Sequence, residues 1–261
     1  MFEKEIKEYE SLLELYRQKV TDRMATQDLR DYNEILFSAH SCAIEGNSFS
    51  VNDTRELKEK GLGVIPQGKT LFETFEMLDH FKAYEFLFNQ PETPLTEELL
   101  KETHRILTEH TLTYRYPDAK PGEYTDTDMC AGDTVFGEHE QLIAKVPQLL
   151  SSTQRALDEG KVHPMILAAR FHGFYEYLHP FRDGNGRIGR LFPNFILHKA
   201  GHPIVVIPQE SKSEYINALR QIRTERTDEH LVSFFFQTAI RRMQQEIDEK
   251  KKQSLAFSFL F

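Results

Sequence analysis

The chain has no tryptophan and only two cysteines among its 261 residues. Cys42 and Cys130 form no Cys-x-x-Cys pair, and two cysteines make no disulfide framework. A reducing, cytoplasmic setting fits that usage best. No apolar run approaches the ~18 residues of a spanning helix, so no membrane segment is expected. The first residues, Met1-Phe2-Glu3-Lys4-Glu5, open a charged helical pattern instead of a signal peptide. Positive charge is in deficit, with 32 Lys+Arg against 41 Asp+Glu and a net charge of −9. Affinity for nucleic-acid backbones rests on clustered positive charge, so no nucleic-acid partner is expected. Three familiar signatures are missing too: the G-x-x-x-x-G-K-[ST] phosphate loop, the G-x-G-x-x-G turn after a strand, and the H-E-x-x-H zinc pair. Repeats and low-complexity linkers are lacking, and the length suits one large domain or one domain with an extension.

What is present is helical periodicity. Ile6, Tyr9, Leu13 and Tyr16 predict a helix over 3–19, and Leu29, Tyr32, Leu36 and Ala39 a second over 27–44. Thr21 or Asp22 is the expected cap between them, and Asn52 or Asp53 the cap of a short helix to about Lys60. Leu71, Phe75, Leu78, Phe81, Phe86 and Leu87 give 70–89 a broad apolar face. Thr96, with Glu97 and Glu98 behind it, starts a helix to about Glu109. Further helices are expected at about 139–159, at 164–178 (burying Leu167, Phe171, Phe174 and Leu178), from Asn185 to about Lys199, from Ser211 or Ser213, and over 228–250. Pro193 should bend the helix that contains it. Residues 111–137 break the pattern with prolines and glycines, and 122–136 reads as two short strands around a turn. The fold class is all-α with one small β-hairpin. The tail 254–261 is apolar and leaves room for a homodimer.

The chemistry gathers in His179-Pro180-Phe181-Arg182-Asp183-Gly184-Asn185-Gly186-Arg187-Ile188-Gly189-Arg190. A Gly184-Asn185-Gly186 turn feeding a helix N-terminus aims backbone N–H groups and the positive end of the dipole at one point. Arg187 and Arg190, three apart, project from neighbouring turns and suit phosphate oxygens. Asp183 suits a hard divalent ion shared with phosphates. His179 is the natural proton acceptor at neutral pH. Each alone has an ordinary structural explanation, but a turn with only a structural role has no use for all of them together. His172 is expected to be a core or supporting histidine, and Phe181 to anchor the loop from below. Upstream, Gly46 is placed to end a helix, which leaves Glu45 at the dipole's negative end and calls for a compensating arginine.

The stretch His179-x-Phe181-x-Asp183-Gly184-Asn185-Gly186-Arg187-x-x-Arg190 resembles the full signature of Fic-domain proteins, most of which transfer AMP from ATP to a protein hydroxyl. The resemblance covers about 70–240 and implies an all-α Fic-type helical bundle whose hairpin is a flap that docks the protein target (122–136). It implies His179 as the base that deprotonates a target Ser, Thr or Tyr. Asp183 would hold Mg²⁺, the backbone of Gly184, Asn185 and Gly186 would receive phosphates, Arg187 and Arg190 would bind the β- and γ-phosphates, and Tyr215 would lie beside the nucleotide. Ser41-x-x-x-Glu45-Gly46-Asn47 is similar to the inhibitory motif of autoinhibited members, so Glu45 would pair with Arg190 and shut the site. Residues 1–69 would then be a helical region carrying that motif and 70–261 the catalytic core. The sequence departs from the family at Thr125, which stands where an arginine often follows the flap's Gly-x-Tyr (here Gly122 to Tyr124), and at Arg223, placed where an asparagine often lies near the base. Two alternatives stay open: a hydrolase that removes AMP at the same site, and a non-enzymatic nucleotide-sensing module.

Overall fold

The computed structural model describes residues 2–63, 65–131 and 134–258, by backbone alone at Ala131 and from 253 onward. It contains eleven α-helices among these residues. They are α1 (Glu3–Lys19), α2 (Thr26–Ile44), α3 (Val51–Lys60), α4 (Leu71–Phe88), α5 (Glu97–Leu107), α6 (Leu112–Arg115), α7 (Leu142–Glu159), α8 (Pro164–Leu178), α9 (Asn185–Lys199), α10 (Lys212–Glu225) and α11 (Glu229–Ser258). Strands β1 (Cys130–Ala131) and β2 (Thr134–Val135) pair antiparallel, with Cys130 opposite Val135. The all-α class with one small hairpin is what the periodicity predicts.

Helix α9 is the axis of the bundle. Ile188, Leu191, Phe192, Phe195, Ile196 and Leu197 are all fully buried, so beyond its first turn this helix is mostly apolar all round, with Arg190 and Asn194 as buried polar residues. It packs chiefly on α8, and α4, α5 and α2 also touch it. Pro193 does not interrupt it; one helix runs from Asn185 to Lys199. Asn194 donates to the Arg190 and Val205 carbonyls and accepts from Val205 N, fixing the extended 204–207 segment against the helix.

The expected division at residue 69 is no break in packing. Phe2, Tyr9, Leu13, Tyr16, Val20, Phe37 and Ile44 share one core with residues from α4 to α11, and α1 lies along α11. The capping expectations need correction at three points. Thr21 and Asp22 lie in a 3-10 turn, and α2 begins after Ala25 with no side-chain cap. Ser50, not Asn52, caps α3, and Asp53 returns the bond from the third helical position. Thr70 and Glu73 form the same reciprocal box on α4, unnoticed in the sequence. Phe174 is no core residue: it is 64% exposed on α8, because the helix buries the Phe171–Tyr175–Leu178 side instead. On α4 the buried face carries Thr74, Glu76, Asp79 and His80 beside its apolar residues. That polar content matters for the site.

Candidate active site

Helices α8 and α9 are joined by six residues, His179 to Gly184, and both ends of this loop need positive φ. Gly184 takes φ 78 without a side-chain penalty. His179 takes φ 49 at the C-cap of α8, an uncommon conformation for a residue with a Cβ. Its amide closes the helix on the Tyr175 carbonyl at 2.9 Å. The cap conformation turns the His179 ring out of the helix, where it stacks on Phe136 beyond β2 with ring centroids 3.7 Å apart. Arg223 from α10 lies 4.7 Å over the other ring of that stack, Phe136.

The loop between these ends is held from inside. Asn185 is buried and its side chain accepts from Phe181 N at 2.9 Å and donates to the Phe181 carbonyl at 2.6 Å. Phe181 is fully buried and stacks on His104 of α5 at 3.7 Å. His104 donates through Nε2 to the Asp183 carbonyl and accepts at Nδ1 from Gly122 N, each at 2.9 Å. Those roles fix it as neutral, and burial pushes its pKa down to about 4. One histidine therefore ties the active-site loop to the segment leading into the hairpin.

The first turn of α9 presents the backbone N–H groups of Asn185, Gly186 and Arg187, free of helical acceptors, to one side. Asp183 stands at the mouth, its side chain 23% exposed. Its Oδ1 accepts from Gly184 N at 2.6 Å, and its Oδ2 lies 3.2 Å from Arg115 Nη1. Arg187 is almost fully buried and pairs with Glu76 of α4 at 2.9 Å, with Asp183 3.5 Å from its other nitrogen. Burial opposes its charge, yet Glu76 and Asp183 hold its pKa above the ordinary arginine value.

Arg190 is also buried, and three groups of α2 and its end receive it. Nε donates to Ser41 Oγ at 3.1 Å; Nη2 donates to the Ser41 carbonyl and to Glu45 Oε1, each at 2.8 Å. Ser41 thus grips the arginine directly, through both its hydroxyl and its carbonyl. Glu45 caps α2, and Gly46 follows with φ 103. The Glu45 carboxylate lies across the α9 N-terminus: a Cβ placed on Gly186 would collide with its Oε1. Asn47 donates to the Glu73 carbonyl and to Glu76 Oε2 at 2.9 Å, so the Ser41–Asn47 segment holds Arg190 directly and reaches Arg187 through Glu76. Tyr215, expected beside a nucleotide, is 1% exposed; its hydroxyl meets His172 Nε2 at 2.7 Å, behind Arg190.

The model of the Fic/DOC family matches residues 94–197, which hold the entire His179–Arg190 stretch. A Fic-domain-containing signalling protein from Bacteroides thetaiotaomicron has the same fold, with a TM-score of 0.81 at 27% identity over 94% of this chain and 97% of its own. The protein adenylyltransferase Fic of Nematostella vectensis is 32% identical over 185 residues, 70% of this chain and 42% of its own length. The chain belongs to the Fic family. Another relative, the protein adenylyltransferase fic-1 of Caenorhabditis briggsae, is 34% identical over 194 residues, 70% of this chain and 36% of its own. The chain spans about two fifths of the length of these curated relatives.

In this Fic fold the structure brings together His179, Asp183 to Arg187, Arg190, Ser41 and Glu45. Four contributors escaped the sequence reading. Glu76 and His104 lie on helices whose apolar pattern hides them, and no local signal marks them. Phe136 stands just outside its strand. Glu176 does carry a signal, three residues before His179.

Proposed function

We propose that this Fic protein is an adenylyltransferase that moves AMP from ATP to a hydroxyl of a protein target, and that Glu45 holds it shut. The observation that carries the reading is the Glu45 carboxylate lying on Arg190 and over Gly186, where a polyphosphate would need the same donors. His179 takes the proton of the target hydroxyl, the hydroxyl oxygen bonds to the α-phosphorus, and the bond to the β-phosphate bridge breaks, releasing pyrophosphate. The chain supplies positioning and positive charge for this displacement. The α9 N-terminus and Arg190 receive phosphate oxygens once Glu45 leaves. Arg187, fixed by Glu76, contributes its charge from below.

Asp183 fits Mg²⁺, since one half-buried carboxylate at a phosphate site is the donor set this ion takes when phosphates and waters complete it. The ion would supply charge neutralisation on the phosphates. Arg115 holds the same carboxylate in its place. Strands β1 and β2 lie beside the base through the Phe136–His179 stack, and Gly137 N donates to the Tyr177 carbonyl at 2.8 Å. A target segment adding to this edge would bring its hydroxyl to His179.

Labelled ATP tests the reading. Glu45→Gly should raise self-modification or modification of lysate proteins with label from the α-phosphate, and none should appear with label at the γ-position. His179→Ala in the same background should remove the signal. Transfer of γ-label would make the protein a kinase. Release of AMP from a modified protein by the wild type would make it a hydrolase.

A further inference from the structure

Behind the His179 ring lie two buried polar atoms with no hydrogen-bond partner, His179 Nδ1 and Glu176 Oε1. They belong to residues one helical turn apart on α8, and Glu176 Oε2 stands 3.7 Å from that Nδ1. Buried polar atoms are nearly always paired, so an unpaired imidazole nitrogen beside a carboxylate that is itself half unpaired calls for an explanation. Glu176 is itself 8% exposed. Its carboxylate has room only because position 189 lacks a side chain: a Cβ on Gly189 would collide with Glu176 Oε1 and come 3.2 Å from the His172 ring. Glycine inside a buried helix costs about 1 kcal/mol relative to alanine, so the cleft is kept at a cost.

We propose that Glu176 is a positioning residue for the transfer reaction, holding His179 with Nδ1–H toward its carboxylate and Nε2 toward the target hydroxyl. The proposal rests on His179 being the base. With Nδ1 buried, Nε2 is the ring nitrogen left to reach substrate. When Nε2 takes the hydroxyl proton, the imidazolium has a carboxylate 3.7 Å behind it, a distance that closes to a hydrogen bond by a small ring rotation. Such contacts are often long before substrate binds. The groups around the carboxylate suit an ionised state: His172 and His179 on α8, Arg190 on α9, and the more remote Tyr215 and Arg223 on α10. Burial works against its charge, yet His179, His172 and Arg190 together hold its pKa below the ordinary glutamate value. Arg223 also donates to the Glu176 carbonyl at 3.0 Å, which anchors the backbone of that turn.

The test compares Glu176→Gln and Gly189→Ala, each in the Glu45→Gly background, and also follows the His179 ring nitrogens by ¹⁵N NMR in both variants without ATP. Glu176→Gln should lower kcat by roughly 10- to 100-fold, part of the ~10²–10⁴-fold that general-base catalysis supplies, with KM for ATP unchanged. The acid limb of its pH profile should move to lower pH, because losing a nearby negative charge disfavours the imidazolium. Gly189→Ala displaces the carboxylate without removing it and should reproduce the kcat loss, and the two changes together should cost no more than one. In the NMR arm, the His179 titration midpoint should fall in Glu176→Gln and the Nδ1–H tautomer should lose its dominance. An unmoved His179 titration and tautomer in Glu176→Gln overturn the proposal, whatever happens to kcat or to the melting temperature. If Glu45→Gly transfers no AMP, the reading of the reaction fails, and the NMR arm still decides whether Glu176 orients His179.

Discussion

Arg187 and Arg190 stand three residues apart on one helix, equally buried, and are held in opposite ways. The partner of Arg187 is Glu76, itself 3% exposed in the middle of α4, and its second carboxylate oxygen is occupied by Asn47. The ionic partner of Arg190 is Glu45, whose side chain is 38% exposed and whose backbone caps a helix C-terminus. A carboxylate there works against its own helix dipole and is stabilised by Arg190 and by the opposite end of another helix, the α9 N-terminus. The first pair is built into the core, whereas the second lies near the surface, and under the proposed function an anion of greater charge displaces it. The two arginines of the motif therefore have different jobs in the resting protein, which their even spacing conceals.

Removing the buried partner is the strongest test of that contrast. Glu76→Ala leaves the Arg187 guanidinium buried without its carboxylate, and breaking such a pair costs about 3–5 kcal/mol. Urea denaturation should show that loss, and AMP transfer should not rise. Glu45→Ala should cost well under half as much. Equal costs for the two would erase the distinction between core pair and latch.

The next effect lies in the braces behind the arginines. His104 and His172 are both fully buried with pKa values pushed down by burial to about 4, from an ordinary 6.5. Each is neutral in the fold and must take up a proton on unfolding in acid. Their stabilisation is complete above pH 6.5 and is lost as pH falls toward 4, on the order of 3 kcal/mol for each. Unfolding free energy should therefore drop between pH 7 and pH 4.5, and His104→Gln should flatten that slope. A slope unchanged in the variant would assign the acid sensitivity elsewhere.

Opening the latch comes third. A charge-assisted hydrogen bond is worth about 1.5–3 kcal/mol, so freeing Arg190 by Glu45→Gly should raise transfer by roughly 10- to 100-fold. The same change in an Arg190→Ala protein should give no such gain, since there is then no arginine to release. A full gain in that double variant would mean that Glu45 acts only by covering Gly186.

Much of this was legible in the residues. The helices follow from 3.6-residue periodicity, and the hairpin from a glycine- and proline-rich break between helices. A carboxylate at the wrong end of a dipole calls for an arginine beside Glu45, and the resemblance to the inhibitory motif implies that it is Arg190. Other features were not legible, for physical reasons. Glu76 lies on the buried face of α4, where periodicity marks the position as core but not the charge it accepts from α9. His104 acts through two backbone groups, from Asp183 and Gly122, and such contacts leave no trace in residue identity. Phe174 was misplaced because an apolar residue on a helix is assigned to the core until the packing shows which stripe is covered. Ser50 lost the cap assignment to its neighbours because Ser, Asn and Asp are all good caps, and only the backbone decides among them.

Ser41 offers the smallest and most discriminating effect. It meets Arg190 twice, once by its hydroxyl and once by its carbonyl, and only the hydroxyl is removed by Ser41→Ala. Losing one such bond should weaken the hold on Arg190 by about 1 kcal/mol, raising transfer by roughly fivefold, less than Glu45→Gly does. The carbonyl bond, which belongs to the α2 backbone, persists in every side-chain variant. If the arginine is held mainly by that carbonyl, Ser41→Ala will change nothing and Glu45→Gly will still leave Arg190 tethered to α2. Titration of ATP binding to the three proteins separates these cases. Affinity rising in the order wild type, Ser41→Ala, Glu45→Gly places the hold in the side chains. No difference between wild type and Ser41→Ala places it in the position of α2 itself, so that full opening would require the helix end to move.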